Sequence, residues 1–365
     1  MNDGHFMRAA LTLARRGLGT VWPNPTVGCV LVKEGDVVGR GWTQPGGRPH
    51  GETEALARAG ARAQGATAYV SLEPCAHHGK TPPCADALVA AGIARAVVAI
   101  EDPDPRVSGR GLAALRAAGI AVETGLCAAE AAEINAGFLT RLSQGRPLVT
   151  LKLASTLDGK IATASGESRW ITGEIARQRA HLLRATHDAV MVGANTVIAD
   201  DPLLTCRLPG LEGRSPVRIV VDGSLRIPLT AKLVAEAREV PTWIIHRPSA
   251  DPARRQVFAD CGVILIEAPN SASSETDLVA AFQELGKRGL TRVLVEGGAR
   301  LAGALFEADL VDRLAWFHAP LLLGGDGLPA IEAFGVTELK AAPRFKRLST
   351  EGLGEDLLET LTRAV

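Results

Sequence analysis

The sequence predicts two consecutive α/β domains, and three observations predict them. The chain has 365 residues, more than one average domain holds. Short apolar strands alternate with helical stretches in two separate series, which implies sheets covered by helices. Between the series lies Ser143–Gln144–Gly145–Arg146–Pro147, a polar segment with a glycine and a proline. The expected domains are therefore 1–145 and 146–365. No internal repeat and no low-complexity tract interrupts them.

The first series opens with a helix over 5–17, then a hairpin of strands 27–32 and 37–41 around Glu34–Gly35–Asp36. A helix follows over 52–63. The run TAYVSL (67–72) is a short buried strand, so Glu73–Pro74–Cys75 emerges at its end. Pro82–Pro83 leads into a helix over 85–91. Strands at 96–100 and 120–123 and a last helix over 128–142 complete the half. The second series has strands at 148–153, 189–192, 217–221, 242–245, 263–266 and 292–295, with helices between most of them. Three antiparallel-looking strands follow at 313–318, 345–349 and 356–361.

Composition narrows the class. With 40 basic and 40 acidic residues the formal net charge is +0, and no basic stripe appears, which argues against nucleic-acid binding. Apolar residues are scattered and no run is long enough to cross a bilayer. Arg8, Arg15 and Arg16 interrupt the N-terminal segment, which reads as an amphipathic helix and not a signal peptide. Six cysteines in such a length do not make a disulfide scaffold. Cys29, Cys127, Cys206 and Cys261 read as buried thiols, and the expected compartment is the reducing cytoplasm.

The chemistry of the first half rests on His50–Gly51–Glu52, Pro74–Cys75 and Pro83–Cys84. One imidazole and two thiolates make a soft donor set suited to tetrahedral zinc, with one position left for water. Glu52 stands two residues after the histidine, placed to handle protons without binding metal. This H-x-E … P-C pattern is that of zinc deaminases, in which water displaces ammonia from a ring carbon. His50 and Cys84 fall at helix N-termini, where the dipole favours anionic groups. A closed structural site, with His77 or His78 as fourth ligand, is the alternative. It gives the Glu52 carboxylate no purpose.

The second half carries four polar constellations: 151–160, ending in Asp158–Gly159–Lys160; the loop 165–172 around Trp170; Gly193–Ala194–Asn195–Thr196 with Asp200 to Arg207; and Glu296–Gly297–Gly298 after an apolar strand. Paired glycines between strand and helix let backbone amides approach a pyrophosphate. Taken singly, each is also an ordinary turn or connection.

Together these motifs resemble one family. P-N-P-T-V-G (23–28), H-G-E (50–52), L-E-P-C-A-H-H-G-K-T-P-P-C (72–84), D-P-D-P (102–105), K-L-A-S-T-L-D-G-K-I-A (152–162), S-R-W-I-T (168–172), A-D-D-P-L-L-T-C-R (199–207) and V-E-G-G (295–298) run through the chain. The whole length is similar to the bifunctional riboflavin-biosynthesis proteins that join a diaminohydroxyphosphoribosylaminopyrimidine deaminase to a 5-amino-6-(5-phosphoribosylamino)uracil reductase. The resemblance implies a cytidine-deaminase-like αβα sandwich followed by a dihydrofolate-reductase-like α/β domain. It implies one zinc per chain on His50, Cys75 and Cys84, with Glu52 as general acid/base, Asn24 at the pyrimidine and Lys80 at the substrate phosphate. In the second half it implies NADPH contacts at Ala154, Trp170, Thr196, Asp200, Gly297 and Gly298. Substrate contacts are implied at Ser168, Arg184, Leu204, Arg207 and Glu296, with Lys152 and Asp200 as catalytic candidates. A homo-oligomer through the reductase domain is a further expectation. Three positions depart from the family pattern: Gly51 for a usual alanine, Thr43 for a common histidine, and Asp104 for a usual asparagine. The rival reading is a nucleoside or nucleobase zinc deaminase with a non-catalytic C-terminal domain.

Overall fold

The computed structural model describes residues 2–77, 82–271 and 275–364. The chain forms two compact units, Met1–Gly145 and Arg146–Val365. In the first, the order is α1 (Asp3–Ala14), β1 (Gly28–Lys33), β2 (Asp36–Trp42), α2 (Gly51–Ala59), β3 (Thr67–Val70), α3 (Cys84–Ala90), β4 (Arg95–Val98), α4 (Arg110–Ala117), β5 (Ala121–Thr124), α5 (Ala128–Ile134) and α6 (Ala136–Gln144). The sheet order is β2-β1-β3-β4-β5, with β1 antiparallel to both neighbours and β3, β4 and β5 mutually parallel. Alternation along the strands divides the core between the two faces. Val30, Val32, Tyr69 and Val97 pack with Phe6, Met7 and Leu11 of α1 and Ile134 of α5. Cys29, Leu31, Ala68, Val70 and Ala96 pack with Ala55, Leu88, Leu115 and Phe138 on the other side.

One expected element divides. The helix foreseen over 128–142 breaks at Asn135 (φ −95°, ψ 11°). Asn135 is buried, its Oδ1 accepts from Thr26 N at 3.0 Å, and its Nδ2 donates to Thr26 O at 3.2 Å. The amide side chain satisfies a backbone pair that would otherwise be buried without partners, and the helix yields to it.

The second unit runs β6 (Leu148–Thr156), β7 (Lys160–Ala162), α7 (Glu174–Ala185), β8 (Ala189–Gly193), α8 (Ala194–Asp200), β9 (Val217–Val221), α9 (Lys232–Ala235), β10 (Thr242–His246), α10 (Pro252–Asp260), β11 (Ile264–Glu267), α11 (Leu278–Lys287), β12 (Arg292–Val295), α12 (Ala299–Glu307), β13 (Arg313–Ala319), β14 (Leu328–Pro329), β15 (Phe345–Leu353) and β16 (Asp356–Arg363). Nine strands form one sheet in the order β11-β10-β9-β8-β12-β6-β13-β16-β15. The first seven are parallel; β13 joins β6 in parallel and turns antiparallel only toward β16. The sequence made β13 look antiparallel because it lies among the last strands, whereas its register is set by β6. The pair β7–β14 was not foreseen; it is too short to show a periodic pattern. Among the described residues no helix is long and apolar enough to cross a membrane.

Candidate functional site

Three turns of the first unit deliver the metal-type ligands. His50 is the N-cap of α2, in extended backbone (φ −73°, ψ 159°). Cys84 is the first residue of α3, entered through Pro83. Cys75 lies in the loop after β3, where Cys84 N–H donates to its Sγ at 3.2 Å and Ala85 N–H to its carbonyl at 3.2 Å. His50 Nδ1 is 3.3 Å from Cys84 Sγ and 3.6 Å from Cys75 Sγ, and the three ligand atoms lie within 4.8 Å of one another. A tetrahedral zinc with bonds of about 2.05 Å to nitrogen and 2.3 Å to sulfur sets such atoms about 3.6 Å apart. The donor set and its spacing fit that ion. Hydrogen bonding from Cys84, then from His50 and the Cys84 N–H, holds the Cys75 thiol down to about 4 despite burial. His77 is not part of the three-residue group, and His78 lies outside the described residues.

Glu52, on the first turn of α2, is 2% exposed, and its Oε2 is buried with no hydrogen-bond partner. Burial pushes the carboxyl up to about 7, opposed by the neighbouring His50. A carboxylate poised near neutrality beside a soft metal site is suited to carrying a proton in both directions.

In the second unit Ala154 lies on β6, Thr196 and Asp200 on α8 directly after β8, and Glu296, Gly297 and Gly298 directly after β12, and β8, β12 and β6 are adjacent strands of the sheet. Glu296 receives a two-pronged bond from Arg184 of α7, Nε to Oε1 at 2.6 Å and Nη2 to Oε2 at 2.8 Å. The third arm of Arg184 donates to Thr205 O at 3.0 Å, tying the 201–207 loop to the pair. Arg184 and Glu296 were expected at the substrate; here they bind each other, so the guanidinium fork is already engaged. Lys152 of β6 stands near the pair, its ammonium drawn below its ordinary value by burial and drawn back by Glu296. Leu204 is buried in the left-handed region (φ 56°), and Arg207 is exposed, its N–H donating to His181 Nδ1 at 3.3 Å. Gly297 (φ 148°) and Gly298 (φ 79°) turn the chain from β12 into α12, and a Cβ on either would lie 3.5 Å from Thr196 Oγ1. That bare turn at a helix N-terminus fits a pyrophosphate. Asp200 ends α8 half-exposed, 3.9 Å from Arg169, and the exposed Trp170 ring carries the Arg177 guanidinium at 4.7 Å. Ser168 is exposed on the same loop, and Ala154 is half-buried on β6.

Comparison with known proteins decides the family. Residues 147–358 match the RibD C-terminal domain. Residues 1–100 match the cytidine and deoxycytidylate deaminase zinc-binding region. The chain is 45% identical over 368 residues to the riboflavin biosynthesis protein RibD of Escherichia coli, covering 98% of each. The chain belongs to the RibD family. Among solved structures it is similar to Acinetobacter baumannii RibD, form 1, with TM-score 0.89 and 42% identity over 100% of this chain and 99% of that one. It is also similar to the Thermotoga maritima diaminohydroxyphosphoribosylaminopyrimidine deaminase/5-amino-6-(5-phosphoribosylamino)uracil reductase, with TM-score 0.85 and 34% identity over 99% and 98%. The cytidine-deaminase-like first domain and RibD reductase second domain are those expected from the sequence.

Within this chain the three departures from the family pattern have local causes. Thr43 is buried, and its Oγ1 accepts from Val27 N at 2.9 Å. It closes the segment before β1 instead of facing outward. At Gly51 a Cβ would meet Val27 O at 2.7 Å, so the start of α2 lies against that carbonyl. Asp104 is buried and gripped by Arg106, Nη2 to Oδ2 at 2.6 Å. Asn24 is half-buried in the turn after Pro23, its amide against Gly47. Lys80 lies outside the described residues.

Glu73 was missed as a residue that organises the loop carrying Cys75. Buried in the loop three residues past β3 and two residues before Cys75, it accepts four backbone N–H groups. Oε1 takes Gly111 N at 2.8 Å and Leu112 N at 3.2 Å; Oε2 takes Gly109 N at 3.0 Å and Asp102 N at 3.1 Å. Only the motif L-E-P-C signalled it, and nothing in the sequence says which amides a glutamate will receive.

Proposed function

We propose that the chain is a bifunctional enzyme of riboflavin biosynthesis. It hydrolytically deaminates 2,5-diamino-6-(5-phosphoribosylamino)pyrimidin-4(3H)-one and then reduces the ribosyl group of 5-amino-6-(5-phosphoribosylamino)uracil to ribityl with NADPH. The observation that carries the reading is the unpartnered, buried Glu52 oxygen beside His50, Cys75 and Cys84.

His50, Cys75 and Cys84 hold the zinc, and the chemistry such an ion supplies is Lewis-acid polarisation of water. Glu52 takes a proton from the attacking water and returns it to the departing amine, so a C–O bond forms, the C–N bond breaks and ammonia leaves. Asn24 orients the pyrimidine, and Lys80 meets the phosphate.

In the reductase half, NADPH supplies a hydride, and the chain's residues place the sugar to receive it at C1′. Gly297, Gly298 and Thr196 receive the pyrophosphate, with Ala154, Trp170 and Asp200 along the rest of the cofactor. Lys152 is the proton source or polarising cation for the opened sugar, because a partly desolvated ammonium gives up its proton more readily. Arg207, which is exposed, takes the substrate phosphate, and Ser168 and Leu204 line the sugar. Arg184 and Glu296 act together: the pair fixes the 201–207 loop and offers Glu296 to the substrate. The protein is cytoplasmic and forms a homo-oligomer through the reductase domain.

The test follows ammonia and NADPH absorbance together in zinc-loaded protein given the diaminopyrimidine substrate. Ammonia followed by NADPH loss is expected. Ammonia alone would return the chain to the nucleoside- or nucleobase-deaminase reading with a non-catalytic second domain.

A further inference from the structure

One row of α7 holds two of the loops that these roles place around the sugar, and it includes a histidine to which none of them gives a part. Ala176, Ala180 and Leu183 pack the helix against Ala315 and Phe317 of β13, Leu353 of β15 and Leu358 of β16. The adjoining row, at spacings of four and three residues, is Arg177, His181 and Arg184. Arg177 grips the 168–172 loop: its guanidinium lies over the Trp170 ring at 4.7 Å, and its Nη1 donates to Thr172 O at 2.8 Å. His181 and Arg184 hold the 201–207 loop.

Three successive residues of that loop are tied by their backbone. Thr205 O accepts from Arg184 Nη1 at 3.0 Å, Cys206 N–H donates to Ser215 Oγ at 3.2 Å, and Arg207 N–H donates to His181 Nδ1 at 3.3 Å. Leu204 and Cys206 are buried, and Arg207 is exposed. The last tie differs from the other two. Arg184 is locked by Glu296 and Ser215 braces a buried cysteine, whereas the N–H of an exposed arginine lies within reach of water. A bond that water can replace adds little to stability. What it fixes is the point from which the Arg207 side chain leaves the loop. Burial, then the Arg184 and Arg207 cations, draw the His181 imidazole below its ordinary value, opposed by Glu296. The ring is therefore uncharged at neutral pH, with Nδ1 free to accept.

We infer that His181 is a positioning residue of the reductase half: by accepting the Arg207 N–H it sets where the Arg207 guanidinium meets the 5′-phosphate of the substrate. The inference rests on the reading of Arg207 as the phosphate residue. A guanidinium fork binds phosphate only in a narrow range of directions, so the place of its backbone matters.

The experiment measures NADPH oxidation by the full-length protein with 5-amino-6-(5-phosphoribosylamino)uracil and with the same compound lacking the phosphate. The wild type is expected to show the higher kcat/KM on the phosphorylated compound. His181→Leu should raise KM for that compound by about twofold to tenfold, the worth of one neutral hydrogen bond, with a smaller change in kcat. The loss should be confined to the phosphorylated compound. His181→Gln, whose amide oxygen accepts an N–H, should recover most of it. In an Arg207→Gln background His181→Leu should cost nothing further, because the group it positions is gone. Equal losses on both compounds, additive losses with Arg207→Gln, or a glutamine no better than leucine overturns the inference. If Arg207→Gln abolishes the phosphate preference while His181→Leu leaves it intact, the inference falls and the reading of Arg207 stands. If Arg207→Gln leaves the preference intact, both fall.

Discussion

Glu73→Gln is the substitution whose effect the structure sizes most directly. Each carboxylate oxygen of Glu73 receives two backbone N–H groups, and the residue is 3% exposed. Glutamine has the same shape but replaces one oxygen with an NH₂. Two buried N–H donors then face another donor, whichever way the amide is turned. Each donor left unsatisfied costs about 1–3 kcal/mol, so the 102–112 segment loses about 2–6 kcal/mol of local stability. The readout is amide hydrogen exchange across 102–112, followed by mass spectrometry. Exchange should quicken by about 30-fold to 20,000-fold, since each 1.4 kcal/mol is a factor of ten. Zinc content, measured on the same samples, should fall, because Glu73 also fixes the loop that carries Cys75. Unchanged exchange across that segment would refute the reasoning.

Three further outcomes are expected. Glu52→Gln should retain zinc by metal analysis yet lose ammonia release by about 10²–10⁴-fold, the range of general acid/base catalysis. Loss of the metal instead would make Glu52 a structural residue. Glu296→Ala strands the Arg184 guanidinium and should destabilise the reductase unit by about 3–5 kcal/mol in urea unfolding, whereas Arg184→Met with Glu296→Leu should recover much of that loss. His187 gives a pH signature. Burial holds it down to about 4 from 6.5, with its ring on Leu183 O and Thr150 Oγ1. Its folded value is the depressed one, so its contribution is complete above pH 6.5. As pH falls from 6.5 to 4, about 3 kcal/mol of stability is lost. Urea midpoints across that window should drop more steeply for the wild type than for His187→Gln.

The sequence revealed most where local pattern and local structure coincide. Strand periodicity placed the strands of the two main sheets but not β7 and β14, and the H-x-E … P-C spacing picked out His50, Cys75 and Cys84, whose donor atoms the fold brings together. What remained hidden depends on contacts between distant residues. Asn135 breaks its helix because of Thr26, and β13 is parallel because of β6; neither partner is visible from the local run. The same holds for Arg184 and Glu296, whose residue types suit a phosphate and a sugar equally well. Only the fold shows that they hold each other. Glu73 looked like part of a motif, and its four donors come from a segment 29–39 residues away.

The Asn135–Thr26 link also bears on how the chain is made. Thr26 precedes the first strand of its sheet, yet its backbone partner is 109 residues downstream. At about 5–20 residues per second of ribosomal synthesis, that partner arrives about 5–20 s later. Until it does, the segment leading into β1 is exposed to chaperones and proteases with its polar groups open to water. A nascent fragment that stops short of Asn135 carries all three metal ligands and still lacks the tie that closes the sheet's entrance. Excision of the first domain for separate expression should therefore cut beyond α6, where both the tie and Phe138 of the core are kept.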